Sequence, residues 1–290
     1  MVHDLPGAPG RADGGFALPA RLRSTLRAVR RGTARAHSYA REVAWLHTVI
    51  DVPGEVHAST AAFWAEALGW PLGQPWPGHP ELRSFEPAVG EAYAHLQQID
   101  GPPRVHLDME SDDPAGTIST AVAAGAVLVR RSERWDSLLS PGGLPFCVLG
   151  ARPHAAPEPA AWPDGHRSRL VQVCIDSPAA SHDAEVAFWR ALLPGRFVGS
   201  PSAEFAGKWH DDGSPVQLLF QRLGQPDGGV RAHVDLGTDA QPAEIRRLLD
   251  LGADDLGAGH GGWHVLRDPA GLAFCVTENA PDQVRHRDLG

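Results

Sequence analysis

Short apolar runs and longer amphipathic stretches follow one another along this chain in a recurring order. Leu46 to Val52 is a compact, mostly apolar run closed by Pro53, which predicts a strand over 45–52. Residues 55–68 set Phe63, Trp64 and Leu68 on a helical face, so a helix is predicted there. Two short strands follow near 81–86 and 92–99. The pattern then restarts with a strand at 104–110, a helix at 114–124 closed by Gly125, and strands near 135–139 and 144–149. Later, Val186, Trp189, Leu192 and Leu193 share one face of a helix at 181–193, and strands are expected near 205–210 and 215–223. A last helix opens at Pro242, carries Ile245, Leu248 and Leu249 on one face, and stops at Gly252, with proline at the entry and glycine at the exit.

This order is an internal duplication. Leu46-His47-Thr48-Val49-Ile50-Asp51-Val52-Pro53 corresponds to Val171-Gln172-Val173-Cys174-Ile175-Asp176-Ser177-Pro178, and Ala62-Phe63-Trp64 to Ala187-Phe188-Trp189. Arg104-Val105-His106-Leu107-Asp108 corresponds to Arg231-Ala232-His233-Val234-Asp235, and the closing run from Trp135 to Val148 to that from Trp263 to Val276. The expected organisation is α+β: an N-terminal extension at 1–42, a first domain at 43–151, a proline-rich linker at 152–166, a second domain at 167–280 and a tail at 281–290. Pro153, Pro157, Pro159 and Pro163 predict a stiff, exposed linker.

Composition narrows the function classes. A length of 290 residues with 42% hydrophobic and 21% charged content suits a folded two-domain protein. No run of about 18 apolar residues is present and no apolar leader opens the chain, so a cytoplasmic protein is expected. Three cysteines cannot build a disulfide framework, and none is in a Cys-x-x-Cys pair. The net charge of −9 is uneven: residues 1–42 hold eight arginines against three acids, +5, which leaves −14 on the rest. An acidic body disfavours nucleic acid as a partner, and the basic segment from Arg21 to Arg41 is expected to be a solvated extension rather than a membrane anchor. The single glycine-rich stretch, Gly257 to Gly262, precedes a strand rather than opening a helix. It is therefore expected to be a loop, not a phosphate cradle.

The opening strand with His47 and Ile50-Asp51, the Phe63-Trp64 helix followed by Leu68-Gly69, Val105-His106-Leu107-Asp108, and Arg267-Asp268-Pro269-Ala270-Gly271 running on to Phe274-Cys275-Val276 together resemble the vicinal oxygen chelate superfamily. That superfamily includes glyoxalase I, bleomycin-resistance proteins and extradiol dioxygenases. The resemblance implies tandem glyoxalase-like domains, each made of two βαβββ units that curve a mixed sheet around a cup. It also implies one divalent metal ion in the domain 1 cup, held by His47, His106 and Cys147, the last standing where the superfamily has a glutamate.

A hard carboxylate replaced by cysteine leaves the chemistry open. A thiolate with two imidazoles is a reasonable soft ligand set, whereas a buried neutral thiol binds no metal. On the strands, alternation puts His106, Asp108 and Glu110 on one face, and Asp108 and Glu110 are the candidate proton-moving groups. His47, His106, Gln97, Trp135, His233 and Trp263 are the candidate substrate contacts. Two functions are carried forward. One is metal-assisted lyase, isomerase or dioxygenase chemistry on a small oxygenated molecule in the domain 1 cup. The other is sequestration of an antibiotic-like small molecule without chemistry. The partner in either case is a small molecule, with the chain a monomer or homodimer.

Overall fold

A computed structural model describes residues 45–193, 195–200, 202–210 and 214–282. The expected extension at 1–42 lies outside the described residues, as does the tail beyond Asp282. Domain 1 comprises β1 (Leu46–Pro53), α1 (Gly54–Leu68), β2 (Leu82–Ser84), β3 (Ala94–Ile99), β4 (Arg104–Ser111), α2 (Pro114–Ala123), β5 (Val127–Arg130), β6 (Trp135–Leu139) and β7 (Pro145–Gly150). Domain 2 comprises β8 (Ala160–Ala161), β9 (Arg167–Ser177), α3 (His182–Leu192), β10 (Arg196–Gly199), β11 (Phe205–His210), β12 (Gln217–Arg222), β13 (Arg231–Thr238), α4 (Gln241–Asp250), β14 (Asp254–Ala258), β15 (Trp263–Arg267) and β16 (Ala273–Thr277). None of the described helices is long and apolar enough to cross a membrane.

The duplication is visible in the sheets. The first runs β2-β3-β1-β4-β7-β6-β5, and the second runs β10-β11-β12-β9-β13-β16-β15-β14 with β8 beside β9. In each, the first strands of two successive units lie antiparallel at the centre (β1 with β4, β9 with β13), while β3 and β7 join their first strands in parallel, as do β12 and β16. Strand alternation then sorts the residues. Leu46, Ile50 and Val52 of β1 enter the core, whereas His47 and Asp51 lie on the opposite, cup-forming face. β5 and β14 were not expected from the pattern. Both are edge strands whose side chains are largely exposed, Val127 and Val129 among them, so they lack the half-buried alternation that marks a strand.

Much of the linker is exposed, as expected, Pro153 and Pro163 included, but it is anchored to the body at several points. Pro157 is buried, its carbonyl accepts from the buried Arg169 guanidinium at 2.9 Å, and Ala160–Ala161 pairs with β9. The backbone polar groups of this proline-rich segment find partners in the fold, which draws it onto the body.

One hydrophobic core spans both domains because the helices cross between them. Phe63 and Trp64 of α1 pack on Phe274 of β16, and Phe188 and Trp189 of α3 pack on Phe146 of β7. Each buried indole needs a hydrogen-bond acceptor. Trp64 Nε1 donates to Asp268 Oδ2 at 2.9 Å, and Asp268 Oδ1 also accepts the amides of Ala270 and Leu272. At the equivalent place Trp189 Nε1 donates to Glu185 Oε1 at 2.8 Å, and Glu185 Oε2 accepts the Gly142 amide. The repeat register pairs Glu185 with Thr60 and Asp268 with Ser140, so one carboxylate comes from a helix and the other from a hairpin. α1 ends at Gly69, whose φ of 67° is left-handed and suits glycine. Arg247 of α4 donates to the last carbonyls of that helix, those of Glu66 and Ala67.

Candidate functional site

Four cup positions recur in both domains, and the strand registers bring them together. In domain 1, β1 supplies Asp51, β4 supplies His106 and Asp108, and β7 supplies Cys147 opposite Asp108. In domain 2, β9 supplies Asp176, β13 supplies His233 and Asp235, and β16 supplies Cys275 opposite Asp235. His106 Nδ1 lies 2.9 Å from Asp51 Oδ1, and its Nε2 lies 3.3 Å from Asp108 Oδ1. His233 repeats this with Asp176 Oδ2 at 2.9 Å and Asp235 Oδ1 at 3.3 Å, and its Nε2 is 3.5 Å from Cys275 Sγ. Burial disfavours the cation in both places. The flanking carboxylates at His106, and Cys174 with the two aspartates at His233, outweigh burial and shift each imidazole well above its ordinary pKa. Both shifts favour the imidazolium, whose two ring nitrogens would each face a carboxylate. Burial raises the thiols of Cys147 and Cys275.

The remaining cup contents differ between the domains. In domain 1, His47 Nδ1 meets His95 Nε2 at 3.0 Å, and His95 Nδ1 meets Ser84 Oγ at 3.0 Å. Burial, then the neighbouring His47, drive the His95 pKa down to about 3, so His95 is neutral. His47 Nε2 meets Glu110 Oε1 at 3.1 Å, while Glu110 Oε2 takes the Arg152 amide at 2.9 Å and His154 Nε2 at 2.7 Å. The site is closed: His47 is 3% exposed and Glu110 1%. Trp45 stacks on His154 with ring centres 4.3 Å apart, and Trp76, His79 and Trp135 contact one another over His95. Gln97, opposite Asp51 on β3, is half-buried.

In domain 2 the cup is open and encloses a cavity of about 800 Å³. Its floor holds Gln172, Cys174, Asp176, His233, Asp235 and Cys275, and Phe205, Leu219, Trp263 and Val265 give it apolar walls. Pro103, Arg104 and Leu144 of domain 1 also reach its lining. Gly257 and Ala258 of the glycine-rich stretch end β14, and the loop from Gly259 to Gly262 seats Trp263. A Cβ on Gly259 would lie 2.0 Å from the indole Nε1, and one on Gly261 would lie 1.9 Å from Cζ3. The floor carries two buried acceptors with no hydrogen-bond partner among the described residues, Gln172 Oε1 and Asp235 Oδ1.

Of the residues singled out from the sequence, His233 and Trp263 line this cavity. His47, Gln97, His106, Asp108, Glu110, Trp135 and Cys147 belong to the closed domain 1 side. The ligand set implied by the resemblance does not converge. Among the described residues, clusters with metal-ligand chemistry are His47–Glu110–His154, His106–Asp108–Cys147, Cys174–Asp176–His233 and His233–Asp235–Cys275, so His47 and His106 fall in different groups. Both ring nitrogens of His106 face carboxylate oxygens, Asp51 Oδ1 at 2.9 Å and Asp108 Oδ1 at 3.3 Å, so an ion held by His106, Asp108 and Cys147 would have to displace the contact at Nε2. Glu110 already has both oxygens taken by hydrogen-bonding partners. Sequence reasoning missed Asp51, His95, His154, Asp176 and Cys174. The repeated Ile-Asp ahead of Pro53 and Ser177 was the available signal for the two aspartates, whereas nothing in the linker marked His154.

A family model described as a glyoxalase-like domain matches residues 47–149 and again 172–277. None of the curated proteins matches the chain. Among solved structures, the Mn(II)-bound glyoxalase from Novosphingobium aromaticivorans superposes with a TM-score of 0.59 at 16% identity, over 83% of this chain and 85% of that one. A mutant 4-hydroxymandelate synthase from Streptomyces coelicolor gives 0.56 at 16% identity, over 84% and 94%. The 2,2',3-trihydroxybiphenyl 1,2-dioxygenase from Sphingomonas wittichii strain RW1 gives 0.53 at 14%, over 81% and 90%. At these identities the likeness is one of fold.

Proposed function

Given that the chain belongs to the glyoxalase-like domain family, we propose that it binds a small oxygen-bearing organic molecule in the cup of domain 2 and moves a proton on it. The cavity is the observation that carries this reading: about 800 Å³ with aromatic walls over a polar floor, within the size range of small-molecule sites. In domain 1 the corresponding side chains are buried, His47 at 3% and Glu110 at 1% exposed, and Trp76 packs on His95 and Trp135, which favours the duplicate cup over the one expected from the sequence.

The floor has the parts for acid–base work. His233, held cationic, serves as a donor and as a fixed positive charge beside a developing oxyanion. Asp235 Oδ1, which lies 3.3 Å from His233 Nε2 but outside hydrogen-bond geometry, would take a proton from the ligand.

The test is a thermal-shift screen of the full chain with small phenols and keto acids. A compound that raises the Tm of the wild type is expected to do so equally in His47→Ala. The shift should vanish in Trp263→Ala and in His233→Gln. A shift lost in His47→Ala and kept in the other two returns the site to domain 1.

A further inference from the structure

Lys208 is the sole lysine of the chain, and it lines the domain 2 cavity. It stands on β11 opposite Leu219 of β12, which stands opposite Cys174 of β9, which stands opposite His233 of β13. Neighbouring strands are about 4.8 Å apart, so the amine and the imidazolium bracket one row across the cup. The same row in domain 1 reads Ser84, His95, Val49, His106, and there Ser84 is tied to His95 and Trp76.

Lys208 has no hydrogen-bond or ion-pair partner among the described residues. The two aspartates of the floor are otherwise engaged: Asp176 by His233, and Asp235 by Gln172 and His233. Burial pushes the Lys208 ammonium below its ordinary range, with Asp235 and Cys174 opposing the shift. An amine that is half-buried, unpaired and faces a cavity is the arrangement in which lysine acts as a nucleophile rather than as a surface cation.

We propose that Lys208 captures an aldehyde or ketone in the domain 2 cup as an imine, which makes carbonyl compounds with an apolar or aromatic body the ligand class of this site. The amine lone pair forms the C–N bond while the carbonyl π pair moves onto oxygen. The carbinolamine then expels that oxygen as water together with the two amine protons, and the C=N bond closes. Gln172 Oε1, a buried floor acceptor with no hydrogen-bond partner among the described residues, would accept from the carbinolamine hydroxyl. Phe205 and Trp263 would flank the body of the compound. This inference rests on the domain 2 cup being the binding site.

The test uses the full chain, 4-hydroxybenzaldehyde as the probe and cyanoborohydride to trap the imine as a stable amine, read by mass spectrometry and peptide mapping. With one lysine, the only competing amine is the N-terminus. The expected result is a single adduct at Lys208, formed faster than on N-acetyl-lysine amide under the same conditions, since a lowered ammonium pKa exposes more free amine. Lys208→Arg, which keeps the charge, should form none. Probe binding is followed separately by quenching of Trp263 fluorescence, with Trp263→Phe as the control. Quenching without an adduct overturns the imine and leaves the cup as the binding site. Neither quenching nor adduct overturns both. An adduct formed no faster than on the model amide also overturns the proposal, because accessibility alone would explain it.

Discussion

Glu110→Gln removes one charge from the closed cup of domain 1 and changes almost nothing else in shape. In the wild type this carboxylate gathers His47, His154 and the Arg152 amide, and so ties the linker to the sheet. Burial opposes its ionisation, but the hydrogen bonds from those partners prevail and hold its pKa down to about 2, against an ordinary 4.5. That difference corresponds to about 3 kcal/mol of linkage at neutral pH. Glutamine keeps one acceptor oxygen, and the neighbouring Arg152 side chain is solvated, so a loss of about 2 kcal/mol is the working figure. For a unit of this size that is a fall in Tm of about 4–8 °C.

The sign with pH follows from the direction of the shift. A carboxylate whose folded pKa is depressed stabilises the protein above its unfolded pKa, and the contribution fades as pH falls through the folded value. Urea unfolding of both proteins, followed by tryptophan fluorescence, should show the full gap at about pH 7 and less than half of it at about pH 3. A gap that stays constant over that range would show that Glu110 acts through packing and not through its charge, and the reasoning would fail.

Asp268→Ala strands the Trp64 indole and two hairpin amides, and should cost about 2–4 kcal/mol in chemical denaturation, as should Glu185→Ala at the mirrored place. Cys147→Ser places a hydroxyl 3.4 Å from the Ser137 Oγ in the wild-type geometry, so a partner is at hand, and the cost should be near 1 kcal/mol or less. Elemental analysis of that variant beside the wild type should find no stoichiometric metal in either. Stoichiometric metal in the wild type that disappears on the substitution would restore Cys147 as a ligand. Removing residues 1–40 should lower Tm by less than about 5 °C, read in a thermal melt, because those residues carry few large apolar side chains to bury.

The duplicated architecture was legible because each strand–helix unit repeats its punctuation and its apolar face, and the paired sheets follow from that repetition. The cups were half legible. His106 and His233 were found as residues on a shared strand face, but their charge state depends on Asp51 and Asp176, which reach them from the neighbouring strand. A register between strands is a long-range fact that no local spacing encodes. Whether a cup is open or filled was not legible at all. Trp76 and His79 lie in a turn-rich stretch outside the strands, and the sequence around them says nothing of Trp76 packing on His95 or His79 on Trp135.

The tryptophan acceptors of the core carry a consequence for how the halves recognise each other. A pairing of two first halves would set Thr60 and Trp64 against Ser140, leaving a buried indole N–H without a carboxylate. A pairing of two second halves would set Glu185 against Asp268, forcing two buried acids together. Only the unlike pairing supplies one carboxylate to each tryptophan. Identical halves are thus penalised by absence on one side and by repulsion on the other, a specificity code of the kind that keeps duplicated modules from exchanging partners. If the two halves were expressed as separate chains, they should seek each other in preference to themselves.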